Sequence, residues 1–111
     1  MAVDNLRKAA IAIATATIGD NTLIAGVANA AGVSYPIRVY GMQFTVGGAT
    51  NLIFKDGTTA LSGTEIYSGA GSSNTLQINE EPYFVTSPTN AFVVNSSAAV
   101  AIGGTIYYRL G

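Results

Sequence analysis

Short apolar runs, rich in β-branched and aromatic side chains, alternate along this 111-residue chain with clusters of glycine, asparagine, serine and proline. Runs of this kind, bounded by turn residues, are typical of an all-β sandwich or barrel, and their number predicts about seven or eight strands. The gaps between the runs are too short for the crossover helices that parallel strands require. The pattern therefore predicts an all-β fold, a single antiparallel β-sandwich.

The first run, residues 9–18, alternates isoleucine and threonine with alanine at the period of a strand. A helix confined mainly to Asn5–Ala12 is the alternative, because alanine is the best helix former and Asp4 could cap it. The strand is the favoured prediction, and it places four residues on one face: Ile11, Ile13, Thr15 and Thr17.

The longest run, Ile37–Val46, follows Pro36 and ends at Gly47-Gly48. Alternation divides this strand into two faces. The face predicted to point into the core carries Arg38, Tyr40, Met42, Phe44 and Val46. The other face carries Ile37, Val39, Gly41, Gln43 and Thr45.

Turn residues predict how the remaining strands are connected. Asp56-Gly57 predicts a hairpin after the strand Asn51–Lys55, since both residues tolerate positive φ. Ser68–Asn74 is predicted to be a flexible loop because of its glycine and serine content. Further short strands are predicted at Thr22–Ala28, Thr64–Tyr67, Leu76–Ile78, Tyr83–Thr86, Ala91–Asn95, Ala98–Ile102 and Thr105–Leu110.

The length predicts one domain, because domains cluster at roughly 100–150 residues. We interpret residues 9–111 as the β-sandwich domain and residues 1–8 as an N-terminal arm. Arg7 and Lys8 precede an apolar stretch, as in a signal peptide, but the alternation of isoleucine with alanine and threonine disfavours that alternative. No apolar run reaches the roughly 18 residues of a membrane span, so we expect a soluble chain without a membrane partner.

The composition bears on chemistry, since the chain has no histidine, cysteine or tryptophan. Most enzymes work through histidine, cysteine or carboxylates with tuned pKa values, so we expect no enzymatic activity and no cofactor. Five lysine and arginine residues stand against six aspartate and glutamate residues, and the net charge of −1 predicts no nucleic-acid partner. Without cysteine, neither a disulfide nor a thiolate metal site can form.

Acidic residues offer one further kind of site. Glu80-Glu81, together with Asp20 or Asp56, could bind a calcium ion between subunits, because hard cations favour clusters of oxygen ligands. The alternative is a solvated turn before Pro82, which the lack of any calcium-loop spacing favours. We therefore predict no metal site within the chain.

The low charge predicts contacts with other protein. Only 10% of the residues are charged, whereas soluble surfaces usually carry about 25–35%. We therefore expect a homo-oligomer or a larger assembly. Tyrosine and arginine are enriched at binding hot spots, and the N-terminal arm is both apolar and basic, with a frayed tail as its alternative interpretation. The candidate interface residues are Val3, Leu6, Arg7, Lys8, Tyr107, Tyr108 and Arg109.

Several segments resemble a large group of short structural proteins from tailed phages. The first three are Ile37–Tyr40, Leu52–Gly57 and Ala60–Gly63. The closing stretch is also similar in order and spacing, where Tyr83–Thr86 precedes Asn90–Tyr108. One departure is visible, because Val85 stands where many relatives carry an acidic residue. If that acid makes a contact between subunits, the contact differs in this chain.

The resemblance implies a virion structural protein with a small β-sandwich, often of jelly-roll type. It implies a capsid decoration, or cement, protein that binds the major capsid protein or another virion protein on the capsid exterior of a bacteriophage. A homotrimer is the oligomeric state that the resemblance favours. The alternative is a tail fibre or spike component, in which the Ser68–Asn74 loop would be the receptor-binding tip.

Overall fold

The computed structural model describes residues 8–28 and 34–111, so the predicted arm residues Val3, Leu6 and Arg7 lie outside the described part of the chain. Within that part the chain forms twelve strands and no helix. Their bounds are β1 Ala9–Thr15, β2 Gly19–Ile24, β3 Val27–Ala28, β4 Ser34–Tyr35, β5 Ile37–Val46, β6 Thr50–Asp56, β7 Thr59–Ala60, β8 Glu65–Tyr67, β9 Ser73–Leu76, β10 Phe84–Val85, β11 Phe92–Ser96 and β12 Ile102–Leu110.

The strands form two antiparallel sheets that pack together. The first sheet has the order β1-β12-β5, with β9 and β10 both paired to the far side of β5. The second sheet has the order β2-β11-β6, with β7 and β8 both paired to β6. A small pair, β3 and β4, stands apart. The predicted all-β fold with antiparallel sheets is confirmed.

The core lies between the two sheets and is built around phenylalanine. Phe54 on the second sheet lies 5.8 Å from Phe44, 5.5 Å from Phe84 and 5.8 Å from Phe92, measured between ring centroids. Phe44 and Phe84 belong to the first sheet, so these rings join the two layers. Aromatic pairs at such distances add about 0.5–1.5 kcal/mol each beyond the burial of their area.

The strand prediction for the first run is confirmed from Ala9 to Thr15. Ile13 is buried and Ile11 packs against the core, while the alternate alanines are exposed. The helical alternative is wrong for residues 9–12, and its residues 5–7 lie outside the described part of the chain. Pairing with β12 and burial of the isoleucines outweigh the helix propensity of alanine, which is only a weak preference.

The core face of β5 differs from the prediction because the strand contains a bulge. The partner register passes from Gly41 opposite Tyr107 to Val39 opposite Tyr108, so Tyr40 is an extra residue in the ladder. A bulge shifts the alternation of side chains beyond it. Met42, Phe44 and Val46 belong to the core as predicted, but beyond the bulge the core residues are Ile37 and Val39 instead of Arg38 and Tyr40.

Three predicted strand boundaries are wrong. Thr22–Ala28 divides into the end of β2 and the two-residue β3. The strand predicted at Leu76–Ile78 is misplaced, because β9 runs from Ser73 to Leu76 and only Leu76 is shared. Residues 98–101 are not a strand, and β12 continues through the predicted break at Gly103-Gly104. Glycine here marks a close approach between two backbones and does not end the strand.

The predicted hairpin is confirmed, with different roles for its two residues. Gly57 adopts a φ of +58° in the turn between β6 and β7. Asp56 is the last residue of β6, and its carboxylate accepts hydrogen bonds from the backbone nitrogen and the hydroxyl of Ser87 at 3.0 and 2.8 Å. The Asp56 side chain therefore attaches this hairpin to the segment that precedes β11.

The Asp56 contact predicts an acid-dependent stability. Burial works against the charged form, but the hydrogen bonds from Ser87 and Asn90 together outweigh it, and the pKa of Asp56 lies below its ordinary value of 3.8. A depressed pKa contributes stability that is present above the ordinary value and is lost as the pH falls through the folded-state pKa. We expect Asp56→Asn to be less stable than wild type at neutral pH by about 1–2 kcal/mol, since hydrogen bonds to charged groups are worth more than neutral ones.

The difference in stability between wild type and Asp56→Asn should shrink as the pH falls below 3.8. Urea denaturation of both proteins over this range measures it. A difference that stays constant with pH would show that the Asp56 charge does not contribute. Thr58→Ala, at an exposed turn position two residues after Asp56, provides the control for effects of substitution in this turn.

Candidate interaction surface

Lys8 and Arg109, two of the residues predicted for an interface, lie at one corner of the first sheet. Ala9 lies opposite Tyr108, so Lys8 precedes β1 beside the end of β12. On the other side of β12, Arg109 lies opposite Arg38. The start of β1, the start of β5 and the end of β12 thus meet. We call Lys8, Arg38, Tyr40 and Arg109 the basic corner.

Tyr40 is the centre of the basic corner. Its side chain is 4% exposed, and the Lys8 ammonium nitrogen lies 4.6 Å from its ring centroid. The Arg109 guanidinium carbon lies 5.4 Å from the same centroid. Cations at these distances are attracted to the ring by about 0.5–1 kcal/mol at exposed sites. Tyr40 is thus buried but lies outside the main hydrophobic cluster, and its ring is a platform for two cationic side chains.

Arg38 makes the corner unusual in its electrostatics. It lies directly opposite Arg109 on the neighbouring strand, an arrangement of like charges that is destabilising. Its Nε is buried and has no hydrogen-bond partner within residues 8–28 and 34–111. An unsatisfied buried donor carries a desolvation penalty, most of all on a charged group. The chemistry of Arg38 therefore favours an anionic acceptor such as a carboxylate.

The edge next to Arg38 is apolar. Val85 on β10 is the direct cross-strand partner of Arg38, and it is exposed. Tyr83, just before β10, is also exposed and donates a hydrogen bond from its hydroxyl to the carbonyl oxygen of Gln77. An acid at position 85 would face Arg38 across the ladder, whereas Val85 supplies no charge there.

The two adjacent tyrosines of β12 differ in their surroundings. Tyr108 packs against the core, whereas Tyr107 lies between Ala10 and Gly41 on the opposite side of the sheet. Tyr107 is therefore the tyrosine of this pair that the surface presents beside the basic corner. Alternation along the strand produces this division.

Positive charge elsewhere in the described part of the chain is neutralised. Lys55 on the second sheet lies 3.0 Å from the Asp20 carboxylate, which also accepts a hydrogen bond from Asn95 at 2.8 Å. The Asn95 hydrogen bond first, and then Lys55, hold the pKa of Asp20 below its ordinary value. The basic corner contains the other three basic residues that the structure describes.

Three other features of the described residues bear on function: acidic clusters, surface hollows and apolar helices. No group of three or more acidic side chains lies close enough to hold a metal ion within them. A hollow of about 350 Å³ beside β1 and β12 is lined by residues 13–16 and 101–103, none of which is ionisable. Over the same described ranges, no helix has the length and apolar character of a membrane span.

Residue type predicted Lys8, Tyr107, Tyr108 and Arg109 as interface candidates but did not place Arg38 or Tyr40 with them. The one sequence signal near Arg38 was Val85, which stands where many of the phage proteins that the chain resembles carry an acidic residue. The structure pairs Val85 with Arg38 across the ladder. No protein-family model, curated protein or solved structure matches this chain.

Proposed function

We propose that this chain is a non-enzymatic structural protein of a bacteriophage virion, a capsid decoration protein that binds the major capsid protein and stabilises the shell. The observation that carries the proposal is the basic corner, where Arg38 has a buried donor without a partner among the described residues. Lys8, the last residue of the predicted arm, lies at this corner with its ammonium group over the Tyr40 ring. Arg38 is only half-buried, so a carboxylate of a capsid subunit would bind the part of its guanidinium group that remains accessible.

We also propose that the sandwich is a jelly roll. In support, β1, β5, β9 and β12 belong to the first sheet, while β2, β6, β8 and β11 belong to the second. This alternation of successive strands between the sheets is compatible with a double Greek key. Jelly rolls occur in viral capsid and lectin domains, and such a fold is compatible with a virion role without requiring it.

A homotrimer on the capsid exterior is the assembly we propose. Many copies that each bind modestly would stabilise a shell through multivalency, since linked contacts raise the effective affinity. A tail fibre or spike component is the alternative. Its proposed recognition tip is Ser68–Asn74. The loop within this segment ends at residue 72, because Ser73 and Asn74 lie in β9. Asn74 also donates a hydrogen bond to the Tyr67 hydroxyl.

The copy number of the chain per virion, relative to the major capsid protein, tests the proposal. Quantitative mass spectrometry of purified particles measures it. A ratio near one to one, or another large simple fraction, would support shell decoration. A ratio of a few per cent would favour the fibre alternative, and absence from the particle would overturn both.

Val85→Glu tests the role of the corner. The new carboxylate would lie opposite Arg38 and compete with a carboxylate of the partner, so we expect roughly tenfold weaker binding to capsids that lack this chain, equivalent to about 1.4 kcal/mol. Co-sedimentation of the purified protein with such capsids measures the affinity. Ile66→Glu, at a 78% exposed position on the second sheet, is the matched control and should bind like wild type. Equal weakening by both variants would contradict a specific role for Arg38.

A further inference from the structure

The two sheets end in four edges, and three of them are poorly suited to binding another strand. The edge opposite β5 consists of β9 and β10, which are short and separated by a segment that contains Pro82. The edge opposite β6 consists of β7 and β8, which have two and three residues. The β2 edge carries the charge of Asp20 and an irregular register with β11. Short strands, charges and irregularities are common protections of sheet edges.

The fourth edge, β1, has none of these protections. It is seven residues long and contains no charged residue and no proline. Its register with β12 runs without a shift from Ala9 opposite Tyr108 to Thr15 opposite Ile102. Nothing in the described part of the chain pairs with its other side. A regular edge of this kind presents a row of backbone donors and acceptors that only another β-strand can match along its length.

The sequence of β1 identifies that other strand. Residues 10–14 read Ala-Ile-Ala-Ile-Ala in both directions. An antiparallel pair of β1 strands around a two-fold axis at Ala12 would place Ala12 opposite Ala12 and Ile11 opposite Ile13. A two-fold interface requires a surface that is complementary to itself, and this palindrome meets that requirement at every pair from residue 10 to residue 14.

We propose that β1 pairs antiparallel with β1 of a second copy of this chain, which joins the two first sheets into one continuous sheet. Ile11 is only half-buried in the single chain, and the paired register would cover it with Ile13 of the second copy. The exposed alanines on the other side leave room for the two strands to approach. This pairing does not depend on the proposed virion role, and it leaves the basic corner available for other contacts.

A single introduced cysteine tests the register, because the chain has no cysteine of its own. Directly opposite residues of an antiparallel pair have Cβ atoms about 4.5–5.5 Å apart, which is close enough for a disulfide after small adjustment. We expect mild oxidation of Ala12→Cys to give a covalent dimer. Thr45→Cys is the control, because Thr45 is exposed on β5, two strands from the edge. No covalent dimer of Ala12→Cys, or equal dimer formation by both variants, would overturn the proposal.

Charged variants test the association without a covalent bond. Ala12 is exposed, so Ala12→Lys and Ala12→Glu should fold, but each would place two like charges opposite each other across the two-fold axis. Sedimentation of the full chain at up to about 1 mM measures the mass of the assembly. We expect this mass to fall twofold in either variant and to recover in an equimolar mixture of the two. An unchanged mass in both variants, or no recovery in the mixture, would overturn the pairing.

Discussion

Replacement of Phe54 by alanine should lower the free energy of unfolding by about 3–5 kcal/mol, the usual cost of removing a buried aromatic ring. Phe54 is 3% exposed, and its ring contacts the rings of Phe44, Phe84 and Phe92. Phe54 therefore contributes to the packing of both layers, and its loss would leave a cavity between them. Because a domain has a total stability of only about 5–15 kcal/mol, the variant should be close to unfolding.

Urea denaturation of wild type and variants measures this effect. Ile66→Ala is the control, because Ile66 is the most exposed large apolar residue that the structure describes, and its truncation should change the stability by less than about 0.5 kcal/mol. Phe54→Leu should lie between wild type and Phe54→Ala, since it retains part of the buried volume. A loss below about 1 kcal/mol for Phe54→Ala would show that the ring cluster does not hold the sheets together.

Local patterns were sufficient to predict the fold class. Ile11 and Ile13 alternate with alanine, and Met42, Phe44 and Val46 occupy every second position of their strand. This spacing places all five residues on the core side of their strands, where the structure has them. Alternation is a property of a single strand and can be read from consecutive residues. The short gaps between runs in turn exclude parallel crossovers.

The bulge at Tyr40 could not be predicted in this way. A bulge is defined by two strands together, since an extra residue in one ladder exists only relative to its partner. Here the partner residues are Tyr107 and Tyr108, far along the chain from Tyr40. One inserted position reversed the predicted faces for Ile37 and Val39, as the dependence of side-chain direction on register requires.

The candidate interaction surface depends even more on long-range pairing. Lys8, Arg38 and Arg109 come together only because β12 lies between β1 and β5. Residue type was enough to suggest that Lys8 and Arg109 belong to an interface. It gave no reason to join Arg38 to them, because Arg38 was assigned to the core by the alternation of its own strand.

The surroundings of the two adjacent glycines in β12 could not be predicted either, because nothing in the sequence distinguishes Gly103 from Gly104. Gly103-Gly104 predicted a break between two strands, yet both residues lie within a nine-residue strand. A Cβ on Gly104 would overlap the backbone carbonyl oxygen of Gln43 and lie 2.7 Å from the Cα of Phe44. The nearest neighbour of a Cβ on Gly103 would be the carbonyl oxygen of Ile13 at 3.9 Å, an ordinary contact.

Gly104→Ala and Gly103→Ala should therefore change the stability in opposite directions. For Gly104→Ala we expect a loss of about 3 kcal/mol or more, because the new methyl group meets backbone and β12 must move away from β5. For Gly103→Ala we expect a gain of up to about 1 kcal/mol, since alanine restricts the unfolded chain more than glycine does and meets no obstacle here. Urea denaturation of the two variants beside wild type measures both changes. Because the residues are adjacent and the substitutions identical, equal effects would contradict the close approach of β12 and β5 at Gly104.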